Sequence, residues 1–229
     1  MFKKYFKKVF GGGDKEVPAN VQFYSPLRVA LHSTVTLDMV DWLTSIPEVH
    51  SDMKLPDGRM TVLAIGITKV DKQKIFNFYL LDESLEEFTL QVVTSPNAQG
   101  VGQEFVEGTL YREVRNVTPL TGSQWETEMK HVGDTTFILG DHKYNRVWSD
   151  DYDDKIKLIS FNEEIIRKEE TLHYVNNYVL YKRELNVPWT TNGKKSVELL
   201  LVGVEETDET AELVYRVGLN LAQTSIHIQ

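Results

Sequence analysis

From residue 60 onward the hydrophobic positions recur in steps of two. After the turn signal Pro56-Asp57-Gly58, Met60–Val70 is apolar on both faces, as a central strand is. Asp71-Lys72-Gln73 interrupts it. Residues 74–81 then resume with Ile75, Phe76, Phe78, Tyr79 and Leu80, and residues 87–93 alternate cleanly through Phe88, Leu90 and Val92. This pattern predicts a three-strand meander. A second strand-rich region follows at Thr136–Leu139, 143–148, 155–161 and 171–183. Asn192-Gly193 is a hairpin-type turn leading into 197–204. Residues 211–219 place Leu213, Tyr215, Val217 and Leu219 on one face, so a strand is expected there, with a helix as the alternative.

Helical spacing is scarce. Residues 121–130 have a small polar start, carboxylates Glu126 and Glu128, and Trp125 and Met129 four apart, which predicts a short amphipathic helix. Residues 38–45 predict another, with Met39, Val40 and Leu43 on one side. Both should decorate sheets. The expected fold class is therefore mainly β, verging on α+β, with antiparallel sheets and a few short helices. Residues 11–20, GGGDKEVPAN, have linker composition, so the domain boundary falls there. Residues 1–20 form an N-terminal segment and linker, and 21–229 one β-rich domain.

Composition narrows the function classes. The chain has no cysteine, which removes disulfides, zinc ribbons and thiolate chemistry. Residues 1–10 lack the apolar stretch of a secretory signal, and no apolar run approaches the ~20 residues of a membrane-spanning helix. A soluble, cytoplasmic protein is expected. The total charge is −9, but residues 1–16 carry five lysines against Asp14 and Glu16, a net of +3, which leaves −12 for the rest. An acidic body argues against a nucleic-acid partner, whose phosphates need clustered lysine and arginine.

Motifs that carry chemistry are weak. The six histidines, His32, His50, His131, His142, His173 and His227, show no short metal-ligand spacing and read most simply as structural imidazoles. Asp141 and His142, after Gly140 at a strand turn, are the nearest approach to an acid/base pair, with Tyr144 on the His142 face. Neighbours on a strand point to opposite faces, which separates the two as partners unless the turn bends the backbone. Asp150, Asp151, Asp153 and Asp154 form an acidic cluster of the kind hard cations favour. As a calcium loop counted from Asp151 it fails, with Ile156 at the glycine position and Asn162 at the bidentate carboxylate, and a solvated loop is the simpler reading. Gly100-Val101-Gly102 does not complete a dinucleotide fingerprint, because Phe105 stands at the last glycine. No cofactor is implied.

The N-terminal segment is the most ordered pattern. On a helical wheel Phe2, Tyr5, Phe6, Val9 and Phe10 span an arc of about 140°, while Lys3, Lys4, Lys7 and Lys8 fill the opposite side. Ten residues are too few to hold a helix alone in water, so the helix forms only when its aromatic face docks on something. An anionic membrane surface, the groove of a partner protein, or the domain's own surface would each serve, and a simply disordered tail is the plainer alternative.

Several segments resemble an uncharacterised bacterial family, the YjfK-like proteins, known as a domain of unknown function. The likeness lies in PLRVAL at 26–31 with VTLD at 35–38, DHKYNRVW at 141–148, VELLLVGVEE at 197–206 and VGLNLAQTSIHI at 217–228. These are strand and turn sequences, so the resemblance carries no active residues across. Such proteins are encoded beside membrane-stress and membrane-channel-like proteins, which implies a peripheral membrane role by association. The expectation is a non-enzymatic interaction or adaptor protein that docks on the inner membrane, or on a partner there, through residues 2–10. The alternative is a hydrolase or metal-dependent enzyme whose site is assembled from Asp141, His142 and the Asp150 to Asp154 cluster. Oligomeric state is left open.

Overall fold

The two-residue rhythm becomes a single antiparallel sheet in the computed structural model, which describes residues 22–43, 45–100, 102–148, 155–185, 196–206 and 210–229. Its strands are β1 (Thr34–Leu37), β2 (Met60–Val70), β3 (Gln73–Asp82), β4 (Glu87–Pro96), β5 (Gln103–Val117), β6 (Thr136–Leu139), β7 (His142–Arg146), β8 (Ile159–Ile166), β9 (Thr171–Glu184), β10 (Val197–Glu206), β11 (Ala211–Leu221) and β12 (Ile226–Ile228). Two short helices, α1 (Val40–Leu43) and α2 (Gly122–Met129), lie between them.

The sheet closes on itself. Strands β2-β3-β4-β5-β11-β10-β9 are hydrogen-bonded in that order. Strand β8 then joins the two ends, pairing with β9 from Ile159↔Tyr178 to Ile166↔Thr171 and with β2 from Ile65↔Ile166 to Thr68↔Glu163. The result is a closed eight-stranded barrel, which leaves these strands no free edge along that ring. Parts of the flanks of β2 and β9 that β8 does not reach are taken by others. Strand β1 pairs with the start of β2 and carries β12, while β7 pairs with the end of β9 and carries β6.

Side chains show which face is inside. Tyr79 on β3 lies close enough to Glu205 on β10 and Arg216 on β11 to feel both charges, although β3 and β10 sit four strands apart in either direction around the ring. Only a path across the lumen is that short. The face holding Ala64, Gly66, Thr68, Asn77, Tyr79, Thr109, Tyr111, Glu163, Tyr178, Glu205 and Arg216 is therefore the interior. It is polar over much of its area, with an apolar patch of Tyr111, Tyr178, Leu199, Leu201 and Val214.

The opposite, outward face is the main apolar core. Phe78, Leu80, Leu90, Leu110, Leu200, Val202, Val217 and Leu219 are buried there in one cluster. The same cluster takes in Val29, Val35, Trp42, Val49 and Met53 from the chain before β2, Val132 after α2, Phe137 and Tyr144 from β6 and β7, and Ile226 from β12. Each such aliphatic or aromatic side chain contributes about 1.5–3 kcal/mol of burial. Helix α2 forms because Thr121 caps it, its side chain accepting from the Gln124 N–H while the Gln124 Oε1 accepts from the Thr121 N–H. Its Trp125 and Met129 pack on that outward layer.

The mainly β, antiparallel reading is what the structure has, with differences of detail. The expected three-strand meander has a fourth member, β5. The strand expected at 155–161 begins at Ile159 and runs to Ile166, and 211–219 is a strand, not a helix. The helix expected over 38–45 is one turn long. The Asn192-Gly193 turn, the Asp150, Asp151, Asp153, Asp154 cluster and the whole segment from Phe2 to Phe10 lie outside the described residues.

Candidate functional site

Two clusters of buried charge stand out, one inside the barrel and one on its covered exterior. Inside, Glu163 of β8 is 2 % exposed. Its carboxyl accepts from Asn77 Nδ2 at 2.7 Å, Tyr79 OH at 2.9 Å and Asn176 Nδ2 at 2.7 Å, and Gln91 Nε2 in turn donates to Asn77 Oδ1 at 3.1 Å. The carboxyl can cross strand β2 to reach Asn77 because Gly66 lies beneath it. A Cβ at Gly66 would stand 1.8 Å from Glu163 Oε1. Burial pushes the Glu163 carboxyl above its ordinary range, against the pull of its three donors.

The second half of the lumen pairs opposite charges. Glu205 of β10 accepts from the Arg216 guanidinium of β11 and from Tyr178 OH of β9, and Arg216 Nη1 also donates to Tyr178 OH at 3.0 Å. Glu113 of β5 lies 4.0 Å from the other arm of the guanidinium. Burial alone would raise the Glu205 carboxyl, but the Arg216 charge and its hydrogen bond outweigh that, so the carboxyl is held below its ordinary range. Tyr178 packs against Gly203 of the neighbouring strand, where a Cβ would stand 2.3 Å from its Cδ1. Between Tyr79, Thr89, Glu113 and Arg216 is a cavity of about 40 Å³, room for water but not for a substrate.

On the exterior, Glu198 of β10 is fully buried. Its Oε2 accepts the His50 backbone N–H at 2.7 Å, and its Oε1 accepts Tyr144 OH at 2.5 Å and Arg183 Nε at 2.7 Å. Arg183 also donates to the Glu48 carbonyl. One carboxylate thus ties residues 48–50 to strands β7, β9 and β10. The His50 imidazole lies beside the His142 ring, with centroids 5.7 Å apart. Burial holds His50 below its ordinary value, with His142 and Arg183 reinforcing and Asp52 and Glu198 opposing.

Of the residues singled out from sequence, Asp141 is exposed at the β6–β7 turn, and His142 begins β7 on the same face as Tyr144. The His142 ring meets the His50 ring edge-on. Among the described residues no group of three or more His, Cys, Asp or Glu side chains is arranged to hold a metal ion. Sequence reading missed the charges that the fold buries, Glu163, Glu198 and Arg216, and their half-buried partners Glu205 and Arg183. Glu198 in VELLLVGV and Arg216 in LVYRVGL were legible as charges inside strands apolar on both sides.

Among the described residues no helix is long and apolar enough to cross a membrane. No curated protein and no solved structure matches the chain. A family model does match, described as "Protein of unknown function (DUF2491)", and it spans residues 1–227, so its boundaries take in the basic segment, the barrel and both buried-charge clusters. The chain belongs to this uncharacterised family.

Proposed function

We propose that this protein is a non-enzymatic interaction protein, in which the barrel is a rigid support and the basic, aromatic N-terminal segment docks reversibly on an anionic membrane surface or a membrane-associated partner. The observation that carries this reading is the division of charge: +3 in residues 1–16 against −12 in the remainder of a chain of total −9. Phe2, Tyr5, Phe6, Val9 and Phe10 supply an apolar face, and Lys3, Lys4, Lys7 and Lys8 a cationic one. Each lysine near an anionic leaflet contributes on the order of 1 kcal/mol, enough for reversible attachment. The barrel's own buried charges support the reading, because Glu163, Glu198 and Glu205 are each engaged by donors of the same chain.

Vesicle sedimentation tests it. The full-length protein should sediment with vesicles of equimolar phosphatidylcholine and phosphatidylglycerol and not with phosphatidylcholine alone. Deleting residues 1–13 should abolish this, and moderate salt should weaken it. Indifference of the full-length protein to anionic vesicles would refute membrane docking.

A further inference from the structure

We propose that a groove on the barrel's outer surface, at the root of the N-terminal segment, receives the headgroup of an anionic phospholipid and so continues the membrane-docking surface onto the folded body. This rests on the membrane reading above. The groove has a volume of about 450 Å³, within the range of ligand-binding clefts. Its floor is Ile67 and Phe76, which face each other across the β2–β3 ladder, and its wall is Phe23 and Tyr24. Lys69 and Lys74 complete it, one step further along the same ladder and again directly opposite one another.

That lysine pair is the feature in need of an explanation. Like charges placed directly across a ladder are destabilising. Among the described residues neither lysine joins an ion pair, whereas Lys54, Arg112, Arg115, Arg167, Arg183 and Arg216 all do. Glu164 lines the same groove and leaves it a net positive charge. At the lip, Phe23 is 51 % exposed, and the Arg28 guanidinium is stacked 4.8 Å from its ring centre. A phosphate bridging Lys69 and Lys74 removes their repulsion, and the apolar floor covers the first carbons behind the phosphate. Exposed aromatic rings beside cations suit the bilayer interface, which is apolar on one side and wet on the other.

The position of the chain start favours a lipid over the segment itself as occupant. Residues 1–21 join the described structure at Gln22, which lines this groove. If the segment folded back into it, its five lysines would crowd against Lys69 and Lys74. If both face one anionic surface, all these cations act in the same direction in a protein whose total charge is −9.

Partition of the full-length protein onto the same equimolar vesicles tests the groove. The double variant K69E/K74E should bind at least about tenfold more weakly, given on the order of 1 kcal/mol per lysine at an anionic surface. The control K143E/K182E makes the same change in total charge on β7 and β9 and should stay within about twofold of the parent, since charges away from the contact are screened. The single variant K69E places a carboxylate opposite Lys74, so it should unfold at an equal or higher temperature while binding less, opposite signs that a merely structural role would not give. Equal losses in K69E/K74E and K143E/K182E would overturn the groove assignment while leaving the segment's docking intact. Absence of binding by the unmodified protein would instead overturn the membrane reading itself.

Discussion

Substituting Gly66 by alanine should be far more costly than a glycine-to-alanine change in a strand ordinarily is. Gly66 has no positive φ, so alanine fits its backbone, and at an open site the exchange stabilises by about 0.4–1 kcal/mol. Here the new methyl would lie 1.8 Å from Glu163 Oε1 and 2.7 Å from its Cδ. The carboxyl must move, and it cannot move far without leaving Asn77 and Tyr79, its partners at 2.7 and 2.9 Å. Two buried donors left without acceptors cost about 1–3 kcal/mol each, so G66A should lose roughly 2–5 kcal/mol. For a chain of this size that is a fall of roughly 5–20 °C in Tm. Removing the obstructing side chain should abolish the penalty. E163A is itself destabilising, by about 3–5 kcal/mol from lost hydrogen bonds and a void, but G66A/E163A should be no worse than E163A to within about 1 kcal/mol. Urea unfolding of the four proteins measures the cycle. Additive losses, or a harmless G66A, would mean that Glu163 does not lie across Gly66 and that the lumen is not closed as described.

Two further outcomes follow from the other buried groups. E198Q should cost about 3 kcal/mol, because Arg183 loses its buried counter-charge and a single amide oxygen cannot accept from both the His50 N–H and the Arg183–Tyr144 side, and limited proteolysis should then cut residues 45–55 first. Stability should also depend on pH through two groups of opposite sign. His50 has its value lowered in the fold, so its contribution is complete above the ordinary 6.5 and lost as pH falls through the folded value; H50N should flatten that acid limb of a Tm-against-pH curve. Glu163 is raised, so its contribution is complete below the ordinary 4.5 and lost as pH rises through the folded value; E163Q should lose less stability than the parent as pH rises from 4.5.

The strands were legible where burial is one-sided and regular. Phe88, Leu90 and Val92 keep strict alternation through β4, so its start and the common face of these side chains follow from sequence alone, although the strand runs on past Val93 to Pro96. Strand β5 did not announce itself, and its register explains why. The ladder shifts on both sides of it, with Val93↔Glu107 followed by Thr94↔Phe105, and with Tyr215↔Arg115 followed by Arg216↔Glu113. Two extra residues, Val106 and Val114, therefore break its rhythm into short pieces that no period-two template matches. Closure was not legible either, since β8 has eight residues and its pairing with β2 links positions about 100 apart. The interior therefore went unread. Glu163, beside Asn162 and Glu164, looks like a surface residue until the ring is closed around it. His50 and His142, far apart in sequence, meet only because Glu198 fixes the residues around both. The aromatic and lysine faces of residues 2–10 need no tertiary information, which is why that pattern was the clearest functional signal in the chain.

Hydrogen exchange of the full-length protein, with and without equimolar phosphatidylcholine and phosphatidylglycerol vesicles, tests membrane docking most directly. Vesicles should slow exchange in residues 1–26 and at the β2–β3 hairpin end around 69–74, and leave β10 and β11 unchanged. Identical exchange of residues 1–26 in the two samples would contradict it.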